Sequence, residues 1–166
     1  MNSRIKLGVS SCLLGHGVRY DAGHKRNRFV TDLLGAHFDL IPLCPEMGAG
    51  LGVPREPIRL VRSGRGQRAE GVRSGDDVTA KIESFARQSL ANLSGLSGYI
   101  VKKGSPSCGM SRVKVYDHNG VPSADGVGLF TRQLMERYPA MPVEEEGRLQ
   151  DPALRASFVE SVYVYH

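Results

Sequence analysis

The stretch IKLGVSSCL, Ile5 to Leu13, and the stretch FDLIPLC, Phe38 to Cys44, decide the fold. Each is a short apolar run that closes on polar or turn-forming residues, which is typical of a buried strand. Between them, RFVTDLLGAH places four apolar residues on one face of a short helix that Gly35 is expected to end. Strand, helix and strand in this order predict a βαβ unit and a parallel sheet.

The bulk composition indicates one globular domain. The chain has 166 residues, of which 40% are hydrophobic and 23% charged, so we assign residues 1–166 to a single domain. No apolar run approaches a membrane span or a signal-peptide core, and we expect a cytoplasmic protein without a membrane partner. The net charge of +5 favours anionic partners, but no basic stripe with interleaved aromatic residues supports nucleic-acid binding directly.

The later segments continue the alternation of strands and helices. We expect a long helix from a cap at Asp76 or Asp77 to about Asn92, and a terminal helix that begins at Asp151 and Pro152. GYIVKKG, VKVYD and MPVEEEG predict strands, and GVGLFTRQLMERY predicts a helix. IRLVR and RAEGVR flank SGRGQ, a basic turn that is typical of an exposed hairpin or a mobile loop. The pattern predicts an α/β domain with a mainly parallel, Rossmann-like sheet flanked by helices, and a ligand site at the carboxyl ends of the strands.

The glycine-rich segment GAGLGVPREP indicates a shaped loop rather than a nucleotide site. Its glycines are Gly48, Gly50 and Gly52, whereas the third glycine of the dinucleotide fingerprint falls three residues after the second. The sequence therefore gives no support to a dinucleotide cofactor.

The chain has three cysteines, and each follows a predicted strand: Cys12, Cys44 and Cys108. A single free cysteine usually behaves as a small buried hydrophobe, but the flanks SSC, CPE and SPSCG are polar or turn-forming. If the three strands are parallel, the three thiols lie at one edge of the sheet and can converge. An odd number of cysteines in a reducing compartment also argues against a structural disulfide.

Three converging thiolates suit a soft metal centre. Structural zinc takes four ligands, so a Cys3His site completed by His16 or His24 is one alternative. A four-iron cluster is the other. With only three cysteines in the chain, it would keep one iron free of a protein thiolate and open to substrate.

Other polar residues share the same edge of the predicted sheet. Glu46 lies two residues past Cys44 and is a candidate general acid or base. Ser105 and Ser107 flank Pro106 just before Cys108, where they either form a turn or direct a hydroxyl at substrate. We interpret the acidic run Glu144 to Glu146 as a solvated loop.

The segments GVSSCLLG, VRYDAGHKR, CPEMGAGLGVPREP, KGSPSCG and MPVEEEGRL, in this order from about Ile5 to Leu149, resemble the DUF523 family of thiouracil desulfidases. The resemblance implies an α/β fold and an oxygen-sensitive [4Fe-4S] cluster held by the three cysteines. It also implies removal of sulfur from a small thiolated pyrimidine without net redox change. Glu46 would then handle protons and Ser105 would orient the substrate or its attacking water. Ser11, Asp21 and Ser107, in the same segments, are expected to bind substrate.

The residues alone are also compatible with two other functions. One is a hydrolase or transferase that uses Cys12 or Cys108 as nucleophile and His24 as base. The other is a basic nucleotide- or RNA-binding domain with a structural zinc. The residues do not determine the oligomeric state, or whether a desulfidase would act on a free thiobase, a thionucleoside or thiolated tRNA.

Overall fold

The chain forms two four-stranded sheets with helices packed against them. The computed structural model describes residues 3–64 and 66–166. Its strands are β1 (Lys6–Ser10), β2 (Asp39–Leu43), β3 (Ile58–Ser63), β4 (Gly66–Gly71), β5 (Gly98–Val101), β6 (Val113–Tyr116), β7 (Pro122–Gly126) and β8 (Val143–Glu145). Its helices are α1 (Gly35–His37), which continues a π-helical segment (Phe29–Leu34), α2 (Pro45–Gly48), α3 (Thr79–Leu90), α4 (Leu129–Arg137) and α5 (Pro152–Tyr165).

The first sheet has the order β2-β1-β5-β8, and its strands are all parallel. This confirms the predicted α/β fold and its parallel sheet. The chain leaves β1 toward β2 on one side and later returns to β5 on the other side, so the strand order reverses between β1 and β5. In an open parallel sheet, the crevice at the carboxyl ends of two such strands is the usual ligand site.

The second sheet has the order β4-β3-β6-β7. Strands β3 and β4 form the predicted antiparallel hairpin, although Arg65 at its turn lies outside the described residues. Strand β6 runs parallel to β3 and antiparallel to β7. The sequence did not predict β7, because its residues PSADG carry no apolar alternation and join the sheet through backbone pairing to β6.

Helices α3 and α4 lie between the two sheets. On α3, Ile82 packs into the core of the second sheet, while Ala86 and Leu90 pack into that of the first. The opposite face of the first sheet is covered by Val30 and Leu34 of the π-helical segment and by Phe158 and Val162 of α5.

Several helix boundaries differ from those predicted. Gly35 does not end its helix, since its φ of −61° is ordinary helical geometry and the helix runs on to His37. Helix α3 begins at Thr79, whose amide donates to the Asp77 carboxylate. Asp151 caps α5 as predicted, through the amides of Ala153 and Leu154. None of the described helices is both long and apolar enough to cross a membrane.

Candidate active site

The three cysteines line one cavity at the carboxyl edge of the first sheet. Cys12 sits in a 3-10 turn (Ser11–Leu14) directly after β1, and Cys44 follows β2 immediately. Cys108 lies in the loop after β5. The cavity holds about 250 Å³ and is also lined by Glu46 and Ser105. The fold therefore brings the three cysteines to one cavity, as their positions after three strands predicted.

Burial sets the protonation of these thiols in the metal-free protein. It raises the pKa of Cys12 to about 11 and that of Cys108 to about 12, and it also raises the pKa of Cys44. Nucleophilic cysteines need the opposite shift, because the thiolate is the reactive form. All three side chains are thus neutral thiols near neutral pH, and they release their protons when a metal cation binds.

No group of three or more His, Cys, Asp or Glu side chains within residues 3–64 and 66–166 is arranged to hold a metal ion. A single tetrahedral zinc would draw its sulfur ligands to within about 3.8 Å of one another, since each Zn–S bond is about 2.3 Å. His16 and His24 are exposed and outside the cavity lining, and the His24 ring accepts from the amide of Arg26. Neither histidine is therefore placed to complete a Cys3His zinc site with the three cysteines.

Glu46 lies in the first turn of α2, beside Cys44. Pro45 occupies the first helical position, and the Cys44 sulfur accepts from the amide of Met47 at 3.5 Å, so sulfur and carboxylate enter the cavity from one short turn. The Glu46 side chain is 15% exposed. Its Oε2 accepts a hydrogen bond of 2.8 Å from the Ser107 hydroxyl. Glu46 thus lines the same cavity as the three thiols.

Arg55 holds the other oxygen of Glu46, a role that its position in the sequence does not reveal. Its Nε and Nη2 donate to Glu46 Oε1 at 3.2 and 3.1 Å. Further bonds reach the carbonyls of Gly52 at 2.7 Å and Val18 at 2.8 Å. With an exposure of only 8%, the Arg55 side chain neutralises the carboxylate and ties three cavity segments together. The residues PREP end the segment CPEMGAGLGVPREP, which is typical of the family. The sequence of this segment does not show that Glu46 is the partner of Arg55.

Ser105 and Ser107 shape the loop that carries Cys108. The Ser105 hydroxyl accepts from the amides of Ser107 and Cys108 at 3.2 and 3.1 Å, and it lies 3.1 Å from the Ser107 hydroxyl. Ser107 is buried and lies 3.8 Å from the Cys108 sulfur. Both serines line the cavity, and Ser107 is the one that contacts Glu46.

Of the other predicted substrate-binding residues, Ser11 lines the cavity and Asp21 does not. Ser11 is buried beside Cys12. Asp21 is exposed, and its carboxylate accepts from the amide of Gly23 at 2.9 Å, which shapes a turn of the loop after the 3-10 segment. A substrate would have to extend beyond the cavity to reach it.

The acidic run at the end of β8 is not a solvated loop, which corrects the expectation from sequence. Glu145 and Glu146 are 7% and 8% exposed. Glu146 accepts from the amide of Lys103 at 2.6 Å and from the Lys102 ammonium at 3.3 Å. This contact anchors the segment between β5 and the Cys108 loop, and burial raises the pKa of Glu145.

Comparison with known proteins gives consistent results. The family model described as 2-thiouracil desulfurase matches residues 7–146. The uncharacterized protein YbbK of Bacillus subtilis (strain 168) is 33% identical over 109 residues, which is 61% of this chain and 71% of that protein. A solved structure described as the [4Fe-4S]-dependent thiouracil desulfidase TudS (DUF523) is 36% identical and superposes with a TM-score of 0.71, covering 93% of this chain and 99% of the other.

The family match spans the loops that carry all three cysteines, Glu46, Arg55 and both serines, as well as the parallel sheet beneath them. Sequence, fold and cavity thus agree, and this chain belongs to the 2-thiouracil desulfurase family of enzymes.

Proposed function

We propose that the protein removes sulfur from a thiolated uracil of the 2-thiouracil type, yielding uracil and hydrosulfide, with a [4Fe-4S] cluster held by Cys12, Cys44 and Cys108. The observation that carries the proposal is the cavity itself, where three neutral thiols from three strand ends, two of them buried and that of Cys44 half-buried, line the wall together with one carboxylate. The related TudS structure is described as [4Fe-4S]-dependent, which supports the choice of cofactor.

The residues present fit such a cluster. Thiolates are the usual protein ligands of iron–sulfur clusters, and the chain has three cysteines, all in this cavity. Tyr99, in the same core cluster as Cys108, has a buried hydroxyl with no hydrogen-bond partner among the described residues, so the core beside the cavity contains a donor that the protein alone does not satisfy. When bound, the cluster supplies an iron without a protein thiolate, which acts as a Lewis acid on the carbon–sulfur bond.

Glu46 is the residue that we propose moves protons. Replacing C=S by C=O requires water to add to carbon, and the carbon–sulfur bond then breaks with its electron pair leaving on sulfur, so no external oxidant or reductant is needed. A carboxylate can take one proton from water and return it to the departing sulfur, while the hydroxyl of the adduct releases the second proton as the C=O bond forms. Glu46 accepts two hydrogen bonds from Arg55 and one from Ser107, and because a carboxylate has about four acceptor positions, about one is left for water.

The other residues orient this carboxylate and the substrate. Arg55 and Ser107 hold the two oxygens of Glu46 in place, which preorganises the base. Ser105 holds the Cys108 loop, and we propose that its hydroxyl, together with Ser11 and Ser107, contacts substrate in the cavity. Asp21 could contribute only to a substrate that projects from the opening.

Neither alternative drawn from the sequence has comparable support. A cysteine nucleophile requires a lowered thiol pKa, whereas all three are raised, and His24 lies outside the cavity lining. A structural zinc site requires a fourth ligand, and His16 and His24 both lie outside the cavity lining.

The experiment is turnover of 2-thiouracil without oxygen, with uracil and hydrosulfide both quantified. Wild type should yield them in equal amounts, and Glu46→Gln should keep its iron while losing at least about a hundredfold in rate. Glu70→Gln is a matched control, because Glu70 is also a largely buried, arginine-paired carboxylate, on the second sheet. No uracil from the loaded wild type would overturn the function, while an unimpaired Glu46→Gln would overturn only the role of Glu46.

A further inference from the structure

Tyr99 lies on the central strand β5 with its ring enclosed by the core. It is 1% exposed, and its ring packs 5.7 Å from that of Phe130, measured between centroids. A Cβ atom at Gly8 on the neighbouring strand would lie 2.3 Å from the Tyr99 ring, so only glycine leaves room for it. The ring position is therefore fixed by its neighbours, and the hydroxyl cannot swing out to water.

The Tyr99 hydroxyl has no hydrogen-bond partner within the part of the chain that the structure describes. Buried tyrosine hydroxyls ordinarily find one, because leaving a polar group unpaired away from water is costly. Tyr138 shows the ordinary case, since its hydroxyl donates to the carbonyl of Leu90. A phenylalanine at position 99 would pack in the same core without burying an unpaired hydroxyl. The presence of tyrosine therefore indicates that a bound group accepts a hydrogen bond from the hydroxyl.

The surroundings of Tyr99 include two of the proposed cluster ligands. Tyr99 and Cys108 belong to the same packed group of buried side chains, and Leu43, which precedes Cys44, packs against that group. Burial raises the pKa of Tyr99 well above its usual value, and Cys108 and Cys44 raise it further. The phenol is therefore a proton donor throughout the ordinary pH range. Neutral thiols are weak acceptors, whereas metal-bound thiolates and sulfides carry negative charge and accept well.

We propose that Tyr99 is the hydrogen-bond donor to the sulfur atoms of the bound iron–sulfur cluster, on the side of Cys108 and Cys44. The inference rests on the proposed cofactor and adds to it a residue outside the ligand motifs. Hydrogen bonds to sulfur help set the reduction potential of iron–sulfur centres, and outer partners of metal ligands contribute strongly to metal retention. Tyr99 is thus a positioning and tuning residue rather than a catalytic one.

The test compares Tyr99→Phe with the matched control Tyr138→Phe, in cluster-free and in loaded protein. In the cluster-free protein, Tyr99→Phe should be at least as resistant to urea as wild type, because it removes an unpaired group. Tyr138→Phe should be less resistant, because it removes a formed bond. In the loaded protein, Tyr99→Phe should lose iron to a chelator about tenfold to a hundredfold faster than wild type and should show a shifted reduction potential. Tyr138→Phe should leave both unchanged.

Two results would overturn the proposal while leaving the cofactor intact. One is a loaded Tyr99→Phe protein that loses iron at the wild-type rate and has the wild-type reduction potential. The other is a loss of urea resistance in cluster-free Tyr99→Phe as large as that in Tyr138→Phe, which would mean that the hydroxyl already has a partner. Wild-type protein that takes up no cluster would overturn the proposed function together with this inference, so the two failures are distinguishable.

Discussion

Replacing Arg55 with methionine should destabilise the protein far more than breaking a shorter ion pair elsewhere. Arg55 and Glu46 are 8% and 15% exposed, so water screens their attraction poorly and cannot replace the lost guanidinium. Removing one member of such a buried pair typically costs about 3 to 5 kcal/mol. The pair Arg62–Asp125 is closer, at 2.6 Å, but its side chains are 46% and 57% exposed. Arg62→Met should therefore cost less than about 1 kcal/mol.

The assay is urea unfolding of the cluster-free protein in reducing buffer, followed by circular dichroism. The double variant Arg55→Met/Glu46→Gln should recover about 1 to 3 kcal/mol of the Arg55→Met loss, because the carboxylate then no longer needs its partner. Equal losses for Arg55→Met and Arg62→Met, or no recovery in the double variant, would refute the conclusion that Arg55 holds a charged Glu46 in place.

Three further predictions concern the cavity. Ser105→Ala should reduce turnover while the visible spectrum of the loaded protein stays unchanged. Turnover equal to that of wild type would show that Ser105 only shapes the Cys108 loop. Gly128→Ala should lower iron content, because its Cβ would lie 2.5 Å from the Ser107 carbonyl carbon and 2.6 Å from the Cys108 amide nitrogen, whereas Gly95→Ala, with open space around it, should not. In the cluster-free protein, the free energy of unfolding should fall as pH rises from 9.0 to about 12, since Cys12 and Cys108 bind protons more tightly when folded. These shifts correspond to roughly 3 kcal/mol for Cys12 and roughly 4 kcal/mol for Cys108. A pH profile unchanged by replacing both with alanine would contradict this.

The sheet and the meeting of the cysteines were predictable because both follow from local signals. The apolar runs that became β1, β2 and β5 each close on polar residues, and parallel strands necessarily share the edge at which they end. Three cysteines placed just past three such runs therefore meet without any knowledge of the tertiary structure.

The contacts that orient Glu46 were not predictable in this way. Arg55 reaches Glu46 across a loop in which Gly50 and Gly52 adopt positive φ angles of 82° and 73°, and sequence spacing does not reveal such a path. The burial of Glu146 was missed for a related reason, because its partner is the backbone amide of Lys103 at the end of another strand. A run of charged residues predicts solvent exposure poorly when the groups that bury it come from a distant part of the chain.

The central claim is tested most directly by counting iron and acid-labile sulfide per chain in protein prepared without oxygen. We expect a brown protein with about four of each, retained in Glu46→Gln and lost in Cys12→Ala, Cys44→Ala and Cys108→Ala alike. Stoichiometric zinc without iron, or a full cluster in any one of the three cysteine variants, would contradict it.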